Sequence, residues 1–299
     1  MRQPNRMNDG GDMGSSLTPQ LRGWGKEVVQ RIKKSISLYN LENRTPTLVY
    51  QMGKVGSSTV MRTLEGLHSP DPVIRVHSLN PAKVSKDIDR LRANLGYLDE
   101  HVITSLTLVR KGVDWGEFPC NVITLTREPV GRAISFAFQD WRQQLPEVSD
   151  LNELQTEQMV ERVLEKLQEE SEHSDPGRWF ERELESVFDI DVMAVPYDFD
   201  QGYVKIQKDP VEVLVIRMED LNHSLKAGLA DLHGLEPRDI QMRQSNIGRN
   251  KKYAELLAEV KERLTLPSSL TERIWGTDYA EHFYGLDLDH LRKKWGPET

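Results

Sequence analysis

Thr47-Leu48-Val49-Tyr50-Gln51-Met52-Gly53-Lys54-Val55-Gly56-Ser57-Ser58-Thr59 is the stretch on which the fold turns. Thr47 to Gln51, following Pro46, is a short apolar strand. Gly53 and Gly56 let the backbone turn sharply and approach an anion closely. A helix follows from the serines, with Val60, Leu64 and Leu67 on its inward face and Gly66 near its end. The start of a helix presents unpaired N–H groups and the positive end of the peptide dipoles. Lys54 adds a point charge, and Ser57, Ser58 and Thr59 add hydroxyls. A strand–loop–helix cradle from Tyr50 to Thr63 therefore suits a phosphate. A Gly/Ser turn that merely caps a helix has the same local composition, so the cradle needs support from elsewhere in the chain.

Residue order argues against one common use of such a loop. The ATP/GTP pattern G-x-x-x-x-G-K-[ST] sets a magnesium-binding hydroxyl directly after its lysine. Here Val55 follows Lys54, and Gly56 and the serines come later. Ordinary magnesium–ATP chemistry is disfavoured.

Outward from the cradle, strands and helices alternate. Val73 to Val76 is a second strand ending at His77-Ser78. Pro81 opens a helix running to about Leu95, and His101 to Val109 is ambiguous between strand and helix. Asn121 to Thr126 is a continuous apolar-rich run, as expected of a parallel strand buried on both faces. It ends at Arg127-Glu128-Pro129, and a helix follows to about Trp141. Thr156 to Glu170 is strongly periodic, and a further helix carries Trp179, Phe180, Leu184 and Val187. Asp191 to Pro196, Gly202 to Ile206 and Val211 to Arg217 read as strands. Helices are expected over Asn222 to Leu232 and Lys251 to Leu264, and the aromatic tail from Leu270 reads as a last helix on the core. The class is α/β with a mostly parallel sheet.

Residues 1–20, rich in Gly, Ser and Asn, read as a disordered lead without a signal peptide, and residues 21–299 as one domain. Trp24 to Tyr39 reads as an amphipathic helix that packs on the domain, on a partner or on a membrane surface. Residues 147–190 read as a helical insertion or lid. The 299 residues carry a net charge of −8, which disfavours a nucleic-acid binder. The one cysteine, Cys120, excludes an internal disulfide, and the eight histidines show no metal-ligand spacing. No apolar run approaches transmembrane length, so a cytoplasmic protein without an integral membrane segment is expected.

Arg127 stands where a buried strand ends, the place where ligands bind in parallel sheets. It suits bidentate contact with a phosphate, with the Ser135 hydroxyl beside it. As a lone arginine it also suits a surface salt bridge, and Arg132 reads as structural. Two anion-binding strand ends together suit a nucleotide phosphorylated at both its 5′ and 3′ positions.

In these pieces the chain resembles the PAPS-dependent sulfotransferase superfamily. Residues 51–59 resemble its 5′-phosphosulfate loop, P-K-x-G-[ST]-[ST]-[ST]. Residues 125–135 resemble its 3′-phosphate motif, R-[DE]-P-x-x-R-x-x-S, and Val215 to Leu221 is similar to its late strand ending R-[YF]-E-D-L. Glycan sulfotransferases and bacterial capsular polysaccharide synthesis proteins carry especially similar loops. The resemblance implies a P-loop-containing nucleoside triphosphate hydrolase-like fold, a three-layer sandwich around the sheet. It implies Lys54 on the transferring group, Val55, Gly56, Ser57, Ser58 and Thr59 around the 5′-phosphate, and Arg127 and Ser135 on the 3′-phosphate. Arg249 and Lys251 are candidates for the family's late basic loop, whose R-K-G is not matched here; they equally suit the basic start of a helix. Gly53 departs from the usual proline.

The implied activity is transfer of a sulfuryl group from PAPS, without a metal, to a hydroxyl of a small molecule or glycan. The family's base is a histidine or glutamate, and His77, at the end of the second strand, is the best-placed candidate. His68, His101 and Glu100 remain open. Trp115, Trp141, Trp179 and Tyr197 suit either sugar stacking or the core, and each singly reads better as core. Two alternatives stay beside this reading: an ATP-dependent kinase-like phosphotransferase, and a non-catalytic nucleotide-binding component of polysaccharide assembly.

Overall fold

The computed structural model describes residues 41–297 apart from 42, 95–99, 145–147, 149, 151–152, 172–173 and 246–252. The N-terminal lead, the amphipathic helix at 24–39, Arg249 and Lys251 lie outside the described residues.

Among the described residues five strands form one sheet in the order β2-β1-β3-β5-β4. They are β1 (Thr47–Tyr50), β2 (Val73–Val76), β3 (Cys120–Thr126), β4 (Tyr203–Lys208) and β5 (Val211–Arg217). β1 pairs in parallel with β2 on one side and β3 on the other, and β3 pairs in parallel with β5 from Cys120↔Val211 to Thr126↔Arg217. β4 alone runs antiparallel, against β5 at the edge. The chain leaves β1 for β2 and then crosses back to β3, so the carboxyl ends of β1 and β3 form the topological switch point, where ligands bind in such sheets.

Helices flank this sheet: α1 (Ser57–Glu65), α2 (Pro81–Asn94), α3 (Glu100–Arg110), α4 (Pro129–Gln144) and α5 (Thr156–Gln168). A short helix α6 (Gly177–Phe180) runs through a π-helical turn (Glu181–Glu185) into α7 (Ser186–Phe188). α8 (Leu221–His233), α9 (Ala254–Arg263), α10 (Ser268–Trp275), α11 (Asp278–Tyr284) and α12 (Leu288–Trp295) complete the described chain. Among the described residues no helix is long and apolar enough to cross a membrane.

The apolar runs behave as their composition requires. Val122, Ile123 and Leu125 of β3 and Val213 to Ile216 of β5 are wholly buried, because helices cover both faces of the central strands. Met159, Val163 and Leu167 bury the stripe of α5. The ambiguous segment after Glu100 is helical, with Ile103, Leu106 and Thr107 turned inward.

Two expectations are corrected. Asp191 to Pro196 is not a strand. The Asp191 carboxylate accepts the Met193 N–H at 2.9 Å, and this local bond winds Val192–Ala194 into a 3-10 turn. The tail is three short helices rather than one, broken at Gly276 and Gly285.

Candidate functional site

The loop between β1 and α1 is built on left-handed backbone. Lys54 has φ 71° and Gly56 φ 95°, and Gly56 is the residue at which α1 begins. A non-glycine residue at positive φ is strained, and Lys54 is held there by its surroundings. Arg132, buried on α4, donates from Nε to the Gly53 carbonyl at 3.1 Å. Arg127 donates from Nη1 to the Lys54 carbonyl at 3.0 Å. The Lys54 ammonium reaches Gln139 on α4. The space at Gly53 is tight: a Cβ there would lie 3.0 Å from Cζ of Phe136, so glycine lets the loop rest on α4.

These bonds turn successive carbonyls toward α4. Among the described residues no acceptor takes the N–H groups of Val55, Gly56 or Ser57. Unpaired donors at a helix start, beside a lysine and an arginine, are the chemistry an anion site requires. Ser57 and Ser58 are half-buried beside these donors. The Val55 side chain is wholly buried, so only its backbone can serve such a site. The Thr59 hydroxyl accepts the Ser245 N–H at 3.2 Å. The Thr63 hydroxyl similarly accepts the Arg243 N–H at 3.1 Å, tying residues 243–245 along α1.

Arg127 is positioned through its backbone by a residue far away in sequence. The Tyr279 hydroxyl of α11 accepts the Arg127 N–H at 3.1 Å and donates to the Arg127 carbonyl at 2.9 Å. Ser135 is half-buried in the second turn of α4, on the helix that Arg127 precedes. Glu128 accepts the N–H groups of Val130 at 3.0 Å and Gly131 at 2.8 Å, capping α4. Burial, then the neighbouring Glu219 carboxylate, push the Glu128 carboxyl up to about 7, against the pull of Arg127 and Lys294. Desolvation, then Arg127 and Lys294, draw the Lys261 ammonium down from its ordinary value. Arg127, Lys261 and Lys294 thus share one electrostatic neighbourhood.

The late R-M-E-D motif supports the site from below. Arg217, buried among Tyr197, Phe199 and Tyr284, donates to Asp220 at 3.0 Å, to Asp287 at 2.8 Å and to the Phe283 carbonyl at 2.8 Å. Glu219 accepts the Glu128 N–H and the Tyr284 hydroxyl, each at 3.1 Å. The ends of β3 and β5 and the C-terminal helices are thereby joined.

His77 follows β2 and lies against the cradle strand. Its Nδ1 is 2.9 Å from the Gln51 carbonyl. A carbonyl only accepts, so Nδ1 carries the proton and Nε2 is the basic nitrogen of the neutral ring. The ring packs on that of His101 at the start of α3, with centroids 4.4 Å apart. Lys54, Arg127 and His77 are thus brought to neighbouring strand ends: Arg127 bonds Lys54, and His77 bonds Gln51, three residues before it.

Trp115, Trp141, Trp179 and Tyr197 are all buried core residues, which removes them as a sugar platform. The residues that the sequence did not single out are Tyr279, Glu219 and Glu183, the last a buried carboxylate that accepts from the Tyr50 and Ser78 hydroxyls. Their only signal was position: Tyr279 lay in the aromatic tail, and Glu219 lay inside the R-M-E-D match.

A family model described as "Putative capsular polysaccharide synthesis protein" matches residues 153–285, less than half of the chain. No curated protein and no solved structure matches it. The matched segment contains Trp179, Glu183, Arg217, Glu219 and Tyr279, which support the site, and not Lys54, His77 or Arg127.

Proposed function

We propose that this chain is a sulfotransferase of polysaccharide synthesis, with a P-loop-like sulfotransferase fold, moving a sulfuryl group from PAPS to a glycan hydroxyl. The observation that carries the proposal is the cradle. Its carbonyls at Gly53 and Lys54 are turned away by two arginines, and its N–H groups at residues 55–57 stand without acceptors among the described residues, beside Lys54 and Arg127. This donor set fits a nucleotide with an anionic 5′ end. The polysaccharide role rests on the family model over 153–285.

In this reading the bound donor supplies the sulfuryl group, and the chain's residues do the rest. The N–H groups of Val55, Gly56 and Ser57, with the hydroxyls of Ser57 and Ser58, hold the 5′-phosphate. Lys54 neutralises charge growing on the bridging oxygen as the sulfur–oxygen bond breaks. Arg127 and Ser135 hold the 3′-phosphate. His77 Nε2 takes the proton of the acceptor hydroxyl while its oxygen bonds to sulfur. The products are a sulfate ester, adenosine 3′,5′-bisphosphate and a proton held on His77.

Isothermal titration tests the reading. Adenosine 3′,5′-bisphosphate should bind without magnesium, and Arg127→Ala should weaken it at least ~10-fold, as loss of a charged hydrogen-bonding partner requires. Transfer of labelled sulfate from PAPS to glycan extracts should fail in His77→Ala while bisphosphate binding persists. Tight magnesium–ATP binding with no response to the bisphosphate would refute the proposal.

A further inference from the structure

We infer that Glu183, on the π-helical turn, is a positioning residue that sets His77 in its proton-accepting orientation. The inference rests on the reading of His77 as the base and adds what holds it.

Glu183 is wholly buried, and its carboxylate gathers donors from two strand ends. Ser78 Oγ donates to it at 2.8 Å, the Leu79 N–H at 3.0 Å and the Asn80 N–H at 3.1 Å. The Tyr50 hydroxyl, from the last residue of β1, donates as well. Arg182 Nε donates at 3.0 Å and supplies the neighbouring positive charge. A buried carboxylate persists only when its lone pairs are filled, and here nearly every donor belongs to residues 78–80 or to β1.

The same short segment grips His77 directly. Trp179, one turn before Glu183, donates its indole N–H to the His77 carbonyl at 3.3 Å. Asn80 donates its side-chain amide to the Arg182 carbonyl at 3.1 Å, and its Oδ1 caps α2 through the Ala82 and Lys83 N–H groups. His77 is therefore held behind by Trp179, ahead by Glu183 and through its ring by Gln51. The bond from Nδ1 to the Gln51 carbonyl fixes the tautomer, and a small shift of residues 77–79 would break it. π-Helical turns are uncommon and recur at functional sites. This one brings Glu183 and Leu184 to the buried side together, following Trp179 and Phe180.

The test reads the imidazole itself. In the 15N-histidine-labelled full chain at a pH where His77 is neutral, its nitrogen shifts should report the Nδ1–H tautomer. In Glu183→Gln, whose amide cannot accept from all these donors, that signature should become a tautomer mixture. The kcat for sulfuryl transfer should fall at least ~10-fold, while bisphosphate affinity stays within ~2-fold. Ser78→Ala and Trp179→Phe each remove one donor, should shift the tautomer in the same direction by less, and carry the test if Glu183→Gln does not fold. Folded variants that all keep the wild-type tautomer overturn the inference. A tautomer shift in a chain whose wild type transfers no sulfuryl group supports the positioning and refutes the sulfotransferase reading instead.

Discussion

Replacing Glu128 with glutamine removes a titrating group while keeping its shape, and the consequence is calculable. Burial, with help from Glu219, raises the carboxyl from its ordinary 4.5 to about 7 in the folded chain. The native state therefore binds this proton more tightly than the unfolded chain does. The associated stability is fully present below about pH 4.5 and is lost as pH rises through about 7. A displacement of that size corresponds to roughly 3 kcal/mol. Urea unfolding of wild type and Glu128→Gln in parallel, from about pH 4 to about pH 9, measures it. Other groups titrate in both proteins, so the readout is the difference between them. Wild type should lose up to about 3 kcal/mol relative to the variant across this range, with the change levelling off above neutrality. Any constant offset reports the capping bonds to Val130 and Gly131, which one amide oxygen cannot fully replace. Glu219→Gln should flatten the wild-type slope, because removing that charge lets the Glu128 carboxyl ionise more easily. A pH-independent difference between wild type and Glu128→Gln would refute the reasoning.

Three further outcomes follow from the packing. Gly56→Ala forces a Cβ into backbone at φ 95°, and should cost about 1–2 kcal/mol in thermal or urea unfolding and weaken bisphosphate binding. Tyr279→Phe removes the hydroxyl that serves both backbone groups of Arg127, and should cost about 1–3 kcal/mol; bisphosphate affinity should fall although Arg127 itself is intact. Among the described residues, Asp220→Asn leaves the buried Arg217 with the half-exposed Asp287 as its one charge partner, and should cost about 3 kcal/mol or more by urea unfolding.

Much of the fold was legible because its signals are local. The run from Asn121 to Thr126 is a strand buried on both faces, and its apolar continuity says so without any neighbour. Gly56 sits where the chain needs a left-handed turn, and the glycine is visible in the sequence. Arg127 and His77 drew attention because a strand end is where a parallel sheet presents side chains, and each does follow a strand of the sheet. Asp191 to Pro196 was misread because its apolar run is too short to outweigh one side-chain bond, from the Met193 N–H to Asp191.

By itself, then, the amino-acid order determined the five strands of the sheet and most of the helices between them, the residue types of the cradle and the strand ends that bear Lys54, His77 and Arg127. Those depend on interactions within a few residues, where periodicity and backbone freedom act. Only the tertiary structure decided what holds them. Glu183 meets Tyr50 across 133 residues, Tyr279 meets Arg127 across 152, and Arg132 meets Gly53 across 79. Hydrogen bonds over such separations carry no periodic signature. They exist because folding removes water from these donors and acceptors together and leaves each the other's nearest partner.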